Sequence, residues 1–167
     1  MNLISNSINV DNNGNINNVG WVEWQHVSFG FIHCPICLVL DKCWFCFNKK
    51  PKIPQHIKCH CIVNSISKPI ANINSKATCD IRKFSEYIFS DKYAWNGKRK
   101  LFESLGFSKE DSQYLKNEYE RQAVKNYCDG QYSLGNLDIS GQRININIEF
   151  KRNGRQVVFK SGWMVKP

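Results

Sequence analysis

Residues 62 to 167 contain no histidine, so that stretch lacks the side chain most often used for proton transfer near neutral pH. No apolar run is long enough to span a bilayer. The most apolar stretch, residues 29 to 40, is short and interrupted by His33 and Pro35, which excludes a membrane span there. The first 20 residues carry no Lys or Arg and no apolar core run, so no secretory leader is read. Neither a phosphate-cradling glycine loop nor a nucleophile elbow is present. Acid is absent from residues 42 to 79, where seven lysines stand without a single Asp or Glu.

What remains is a chain of 167 residues, 42% hydrophobic and 13% aromatic, with a formal net charge of +9. That is enough apolar material for one ordinary domain or two small ones. The excess of positive charge favours an anionic partner. Composition divides the chain. Residues 1 to 20 hold eight Asn and read as a disordered polar lead-in. Residues 21 to 65 form a cysteine-rich module, residues 66 to 79 a linker, and residues 80 to 167 a second domain. Its first part, residues 80 to 129, is nearly balanced, with ten basic and nine acidic residues.

Six of the eight cysteines lie between Cys34 and Cys61. Cys34-Pro-Ile-Cys37 lets two sulfurs approach one ion across a tight turn and points backbone N–H groups at them. A second ligand pair about 20 residues on closes a tetrahedron, the geometry of structural Zn²⁺ sites. His56-Ile-Lys-Cys59 supplies such a pair, with Cys61 competing with Cys59 for the fourth place. The expected ligands are Cys34, Cys37, His56 and Cys59. Cys43-Trp-Phe-Cys46 is either part of another ligand set or a pair of buried thiols. Cys79 and Cys128 read as core thiols. Disulfides are the competing explanation, and they require an oxidising compartment. A closed four-ligand site is structural, and it folds a segment too small to hold a core unaided.

The run Trp24-Gln-His-Val-Ser, Cys34-Pro-Ile-Cys37, Leu40-Asp41, Pro51 to Pro54 and His56-Ile-Lys-Cys59-His60-Cys61 resembles the C-terminal zinc-type module of phage head morphogenesis (Mu-type minor head) proteins. Lys42 stands where that module has Gly, and His60 where it has Arg. The resemblance implies a phage origin and a possible place among phage capsid proteins.

In the second half, residues 84 to 89 suit a short helix, and Lys98 to Leu105 reads as a helix stopped by Gly106. Ser108-Lys-Glu-Asp111 forms a capping box, so a helix should follow to about Cys128, with Gly130 beyond its end. Leu115, Tyr119, Ala123 and Tyr127, widened by Tyr114 and Val124, make its core stripe. From Arg143 to Lys151, Ile144, Ile146, Ile148 and Phe150 alternate with Asn145, Asn147 and Glu149, the pattern of a half-buried strand. Asn153-Gly154 is a two-residue hairpin turn, and the return strand is Arg155 to Lys160. Residues 162 to 165 continue into another edge, and an earlier strand runs through Tyr132 to Leu137. The expected fold class is α+β: a small zinc-knuckle module followed by a helical segment and a small antiparallel sheet.

Lys98-Arg-Lys100, Leu105-Gly-Phe107, Tyr132-Ser-Leu-Gly135, Leu137-Asp138, Gly141-Gln142-Arg143 and Gly162-Trp163 resemble a domain of uncertain function. It is found at the C-termini of phage head morphogenesis proteins and of bacterial polymorphic toxins. The resemblance implies a small ribonuclease-like activity, for which the candidate residues are Glu149 as base and Arg143 as phosphate clamp. The plain alternative is a solvent-facing strand charged for solubility. Three readings follow. The first is a phage-derived effector that binds RNA or another polyanion in the host cytoplasm. The second is a non-enzymatic, anti-CRISPR-like inhibitor of a host nucleic-acid-guided nuclease. The third is a head-assembly component.

Overall fold

The computed structural model describes residues 20–27 and 34–167. Apart from Gly20, the lead-in expected over residues 1 to 20 lies outside them. The fold is mixed α+β, with two small sheets and intervening helices. The described chain divides into two compact units. One holds the residues up to Lys68 together with Leu134–Arg143 and Met164–Pro167; the other holds Pro69–Ser133 and Ile144–Trp163.

The first unit is built on β1 (Trp21–Gln25). It also contains the one-turn helix α1 (Pro35–Leu38), β2 (Trp44–Cys46) and β3 (Ile62–Ile66). β1 is the central strand and is antiparallel to both neighbours, with Val22 opposite Phe45 on one side and Ser65 on the other. Trp21, Val22, Trp24, Leu40 and Phe45 are all buried. Two large indoles thus give a short sheet a core that its few residues would not otherwise supply. The link from α1 to β2 is tied down by Trp24 at both of its backbone groups: Trp24 N–H donates to Cys43 O (2.8 Å), and Lys42 N–H donates to Trp24 O (2.7 Å). Lys42 holds φ at +59°, a conformation that favours Gly.

The second unit carries the other helices. A wide helical turn over Lys83–Ile88 is followed by α2 (Lys98–Ser104) and α3 (Ser112–Cys128). The expected capping box is formed: Ser108 N–H donates to Asp111 Oδ2 at 2.8 Å, opening a tight turn that runs into α3. Gly106 and Gly130 take φ of +82° and +66°, as helix-ending glycines should. The second sheet has the order β4 (Ser133–Asp138), β5 (Gly141–Arg152) and β6 (Arg155–Met164). Residues 162 to 164, expected as a separate edge, instead complete β6, because the hairpin at Asn153 and Gly154 (φ +53° and +72°) starts one long strand.

Ile144, Ile146, Ile148 and Phe150 are buried as their alternation requires. The second unit's aromatic core centres on Phe102, which stacks on Phe159 (4.8 Å between centroids) and meets Phe84, Phe89, Phe107 and Phe150 edge-on. On α3, Leu115, Ala123 and Val124 face inward, but Tyr114 is 55% exposed. Tyr114 sits at the rim of the stripe, where its ring rests on Phe107 at 6.0 Å.

Candidate metal centre

Five donors from two short segments, residues 34–37 and 56–61, form two groups of three that share one cysteine. The donor atoms of Cys34, Cys37 and His56 lie within 4.8 Å of one another, and so do those of Cys37, Cys59 and Cys61. Cys37 is the shared member. Its Sγ is 3.3 Å from His56 Nε2 and 3.7 Å from Cys59 Sγ. Cys37 and Cys61 are buried, Cys34 and Cys59 are half-buried, and His56 is exposed. All eight cysteines are free thiols, with no disulfide among them. Such a cluster can hold a metal ion.

Local backbone geometry makes the cluster. Cys34 immediately precedes the proline that starts α1, so one helical turn returns Cys37 beside it. The Cys34 thiol is held below its ordinary value, first by the Cys37 backbone N–H, then by the Cys37 side chain, the Ile36 N–H and the His56 ring, against the effect of burial. This is the arrangement expected of a Cys-x-x-Cys turn. Burial pushes Cys59 up, yet hydrogen bonds from the backbones of Gln55 and Cys61 outweigh it, and the thiol settles at about 7. Burial raises Cys37 far above the usual thiol range, and the adjacent Cys61, Cys34 and Cys59 thiols add to that. Cys61 is raised for the same first reason. Four sulfurs this close cannot all ionise without a cation between them.

The imidazole is oriented as a metal ligand's would be. His56 Nδ1–H donates to Ile57 O at 2.8 Å, which leaves the Nε2 lone pair directed at Cys37. The same carbonyl, followed by the thiols of Cys34 and Cys59, raises the His56 pKa. The loop that carries it is pinned by Cys59 N–H to His56 O (3.1 Å), with Lys58 at φ +64°.

The four residues named from the sequence fall into two overlapping groups that share Cys37: Cys34 and His56 gather with it in one, Cys59 in the other together with Cys61. The second Cys-x-x-Cys pair joins neither. Cys43 Sγ donates to Val39 O (3.5 Å) and Cys46 Sγ to Asn48 Oδ1 (3.0 Å). Among the described residues neither belongs to a metal-holding group. Both are buried in the strand region, and burial lifts Cys43 to about 11. Cys128 is buried as expected, whereas Cys79 is half-buried, its backbone N–H bound to Glu120 Oε1 at 2.7 Å.

Glu149 and Arg143 are not brought to one point. They lie six residues apart on β5, about 20 Å along a strand, and each faces a different partner. Arg143 approaches Asp138 at 3.8 Å, and Glu149 pairs with Lys151 at 2.7 Å. The residue that handles Glu149 is Gln122 of α3, whose amide bonds both Glu149 backbone groups: Nε2 to O at 2.6 Å and Oε1 from N at 2.8 Å. Nothing in the helical periodicity marks Gln122 for that task, since a polar residue beside the stripe is ordinary.

A domain of unknown function, DUF6883, matches residues 70–167. The chain belongs to that family. The matched segment takes in α2, α3 and the β4–β5–β6 sheet, and the cysteine cluster precedes it. No curated protein and no solved structure matches the chain. No helix among the described residues is long and apolar enough to cross a membrane.

Proposed function

We propose that the protein is a phage-derived effector of the host cytoplasm in which a structural zinc module presents a lysine-rich surface to RNA. Zinc is favoured by the donor set, thiolates with one imidazole. A tetrahedral Zn²⁺ with thiolate bonds of about 2.3 Å and an imidazole bond of about 2.0 Å separates its sulfurs by about 3.8 Å, and sulfur from nitrogen by about 3.5 Å. The 3.7 Å and 3.3 Å approaches of Cys37 to Cys59 and His56 fit those edges. Cys34, Cys37, His56 and Cys59 would hold the ion, with Cys61, which is grouped with Cys37 and Cys59, as the competing fourth donor. Four protein ligands leave no open position, so the ion's contribution is to fold the module rather than to activate water.

The observation that carries the RNA reading is the placement of charge. Exposed Lys52 and Lys58 flank His56 on the cluster's own loop, within an acid-free run that also exposes Lys42 and Lys68. Binding through about four such lysines gives a single-strand salt slope near −3, or about a 50-fold loss of affinity between 50 and 200 mM salt. Fluorescence anisotropy with a 20-nucleotide single-stranded RNA measures it. A steep slope that shrinks in Lys52→Glu/Lys58→Glu supports the reading, and absence of binding at 50 mM salt overturns it. The competing reading, inhibition of a guided nuclease, then gains ground if such an enzyme is bound stoichiometrically without RNA.

A further inference from the structure

We infer a second binding site, in the second unit, for a nucleotide unit consisting of one base and one phosphate. It goes beyond the lysine surface and uses none of its residues. A groove of about 420 Å³ runs between one face of α3 and the outer half of β5, within the range of small-ligand clefts. Its walls are fixed. Gln122 bonds both backbone groups of Glu149, and Asn126 Nδ2 donates to Asn147 O at 2.8 Å. The helix thus takes the place of a strand beside β5 and holds the groove at one width.

Two kinds of recognition group line this groove. At one end Tyr114 is 55% exposed and backed by Phe107, with the Arg152 guanidinium 4.7 Å from the Phe107 ring centre. An aromatic ring supported from behind and open in front is a platform for a base. Along the groove stand Arg121, Lys125 and Lys151. Each is held by a carboxylate: Arg121 by both oxygens of Glu118 (2.6 and 2.8 Å), Lys125 by Asp129 (2.9 Å), and Lys151 by Glu149 (2.7 Å). Their side chains remain 60 to 65% exposed. The carboxylates restrain the cations without using all of their N–H groups, so a phosphate can be bound with little further loss of side-chain freedom. Because these pairs nearly cancel in charge, the site recognises by stacking and hydrogen bonds rather than by bulk field. That separates it from the lysine surface of the first unit.

The test is titration of the full chain with adenosine 5′-monophosphate, followed through backbone amide shifts of residues 114 to 126 and 147 to 151. Saturable binding is expected, weakened at least about tenfold by Tyr114→Ala and retained by Tyr114→Phe, the range of one lost base stack. Lys125→Ala/Lys151→Ala should weaken the nucleotide while leaving adenosine alone unchanged. Raising salt from 50 to 200 mM should cost less than about threefold, the effect of a single phosphate. Lys52→Glu/Lys58→Glu should have no effect here, so the site and the RNA-binding lysine surface can fail separately. Absence of saturation up to about 10 mM nucleotide, a free energy weaker than about −3 kcal/mol, overturns the inference. So does equal binding by a folded Tyr114→Ala variant.

Discussion

Replacing Gln122 by Ala removes a link whose partners are both backbone groups of the central strand. The amide of Gln122 donates to Glu149 O at 2.6 Å and accepts from Glu149 N at 2.8 Å, and it also reaches Glu118 Oε1 at 2.7 Å. Each internal hydrogen bond contributes about 1 kcal/mol net, and a stranded backbone group costs somewhat more than that. The two strand bonds therefore give about 2 kcal/mol. For a unit of this size that is a fall of about 8 to 16 °C in melting temperature. Gln122→Glu keeps an acceptor for Glu149 N–H but turns an anionic oxygen toward the Glu149 carbonyl and the Glu118 carboxylate, so it should cost at least as much as Gln122→Ala. Thermal melting with urea titration gives the stability change, and hydrogen exchange at the Glu149 amide locates it. A melting shift under about 2 °C in Gln122→Ala, with Glu149 exchange unchanged, would refute the view that α3 completes the strand.

Ile148 is fully buried on β5, so Ile148→Ala should cost about 2 to 5 kcal/mol and Ile148→Val about 1 kcal/mol, read from urea midpoints. Glu120 gives a pH prediction. Burial alone would raise its carboxyl, but Lys116 and the Cys79 N–H hold it below the ordinary value. A depressed folded value contributes stability above the unfolded carboxyl pKa and loses it as pH falls through the folded one. The stability gap between the native chain and Glu120→Gln should therefore be full at pH 6 and close progressively below about pH 4.3. A gap that does not change with pH contradicts the assignment.

Much of the second unit was legible from local signals. The alternation from Ile144 to Phe150, the Asn153-Gly154 turn and the Ser108–Asp111 capping box each act within a few residues, and each formed as read. The first sheet was not legible, because its pairings are distant and its strands short. Trp21 lies opposite Cys46 and Ile66, partners that no periodicity in five residues announces. The Cys43–Cys46 spacing fits either a ligand pair or two buried thiols, and the structure shows the second, with Cys43 Sγ donating to Val39 O and Cys46 Sγ to Asn48 Oδ1. Spacing alone cannot separate a knuckle from a strand; the third and fourth donors decide, and they gather around Cys37. The alternation places Glu149 on the polar face of β5, where its carboxylate pairs with Lys151 of the same strand. The Gln122 bonds to its backbone come from another element, a relation that depends on where α3 packs.

The first unit depends on Cys37 being the centre of an occupied metal site. Elemental analysis of the purified full chain by mass spectrometry, beside Cys37→Ser and Cys46→Ser, measures this directly. The prediction is one zinc per chain in the native protein and in Cys46→Ser, and none in Cys37→Ser. A native protein without metal, or a Cys37→Ser variant that keeps its full complement, would contradict it.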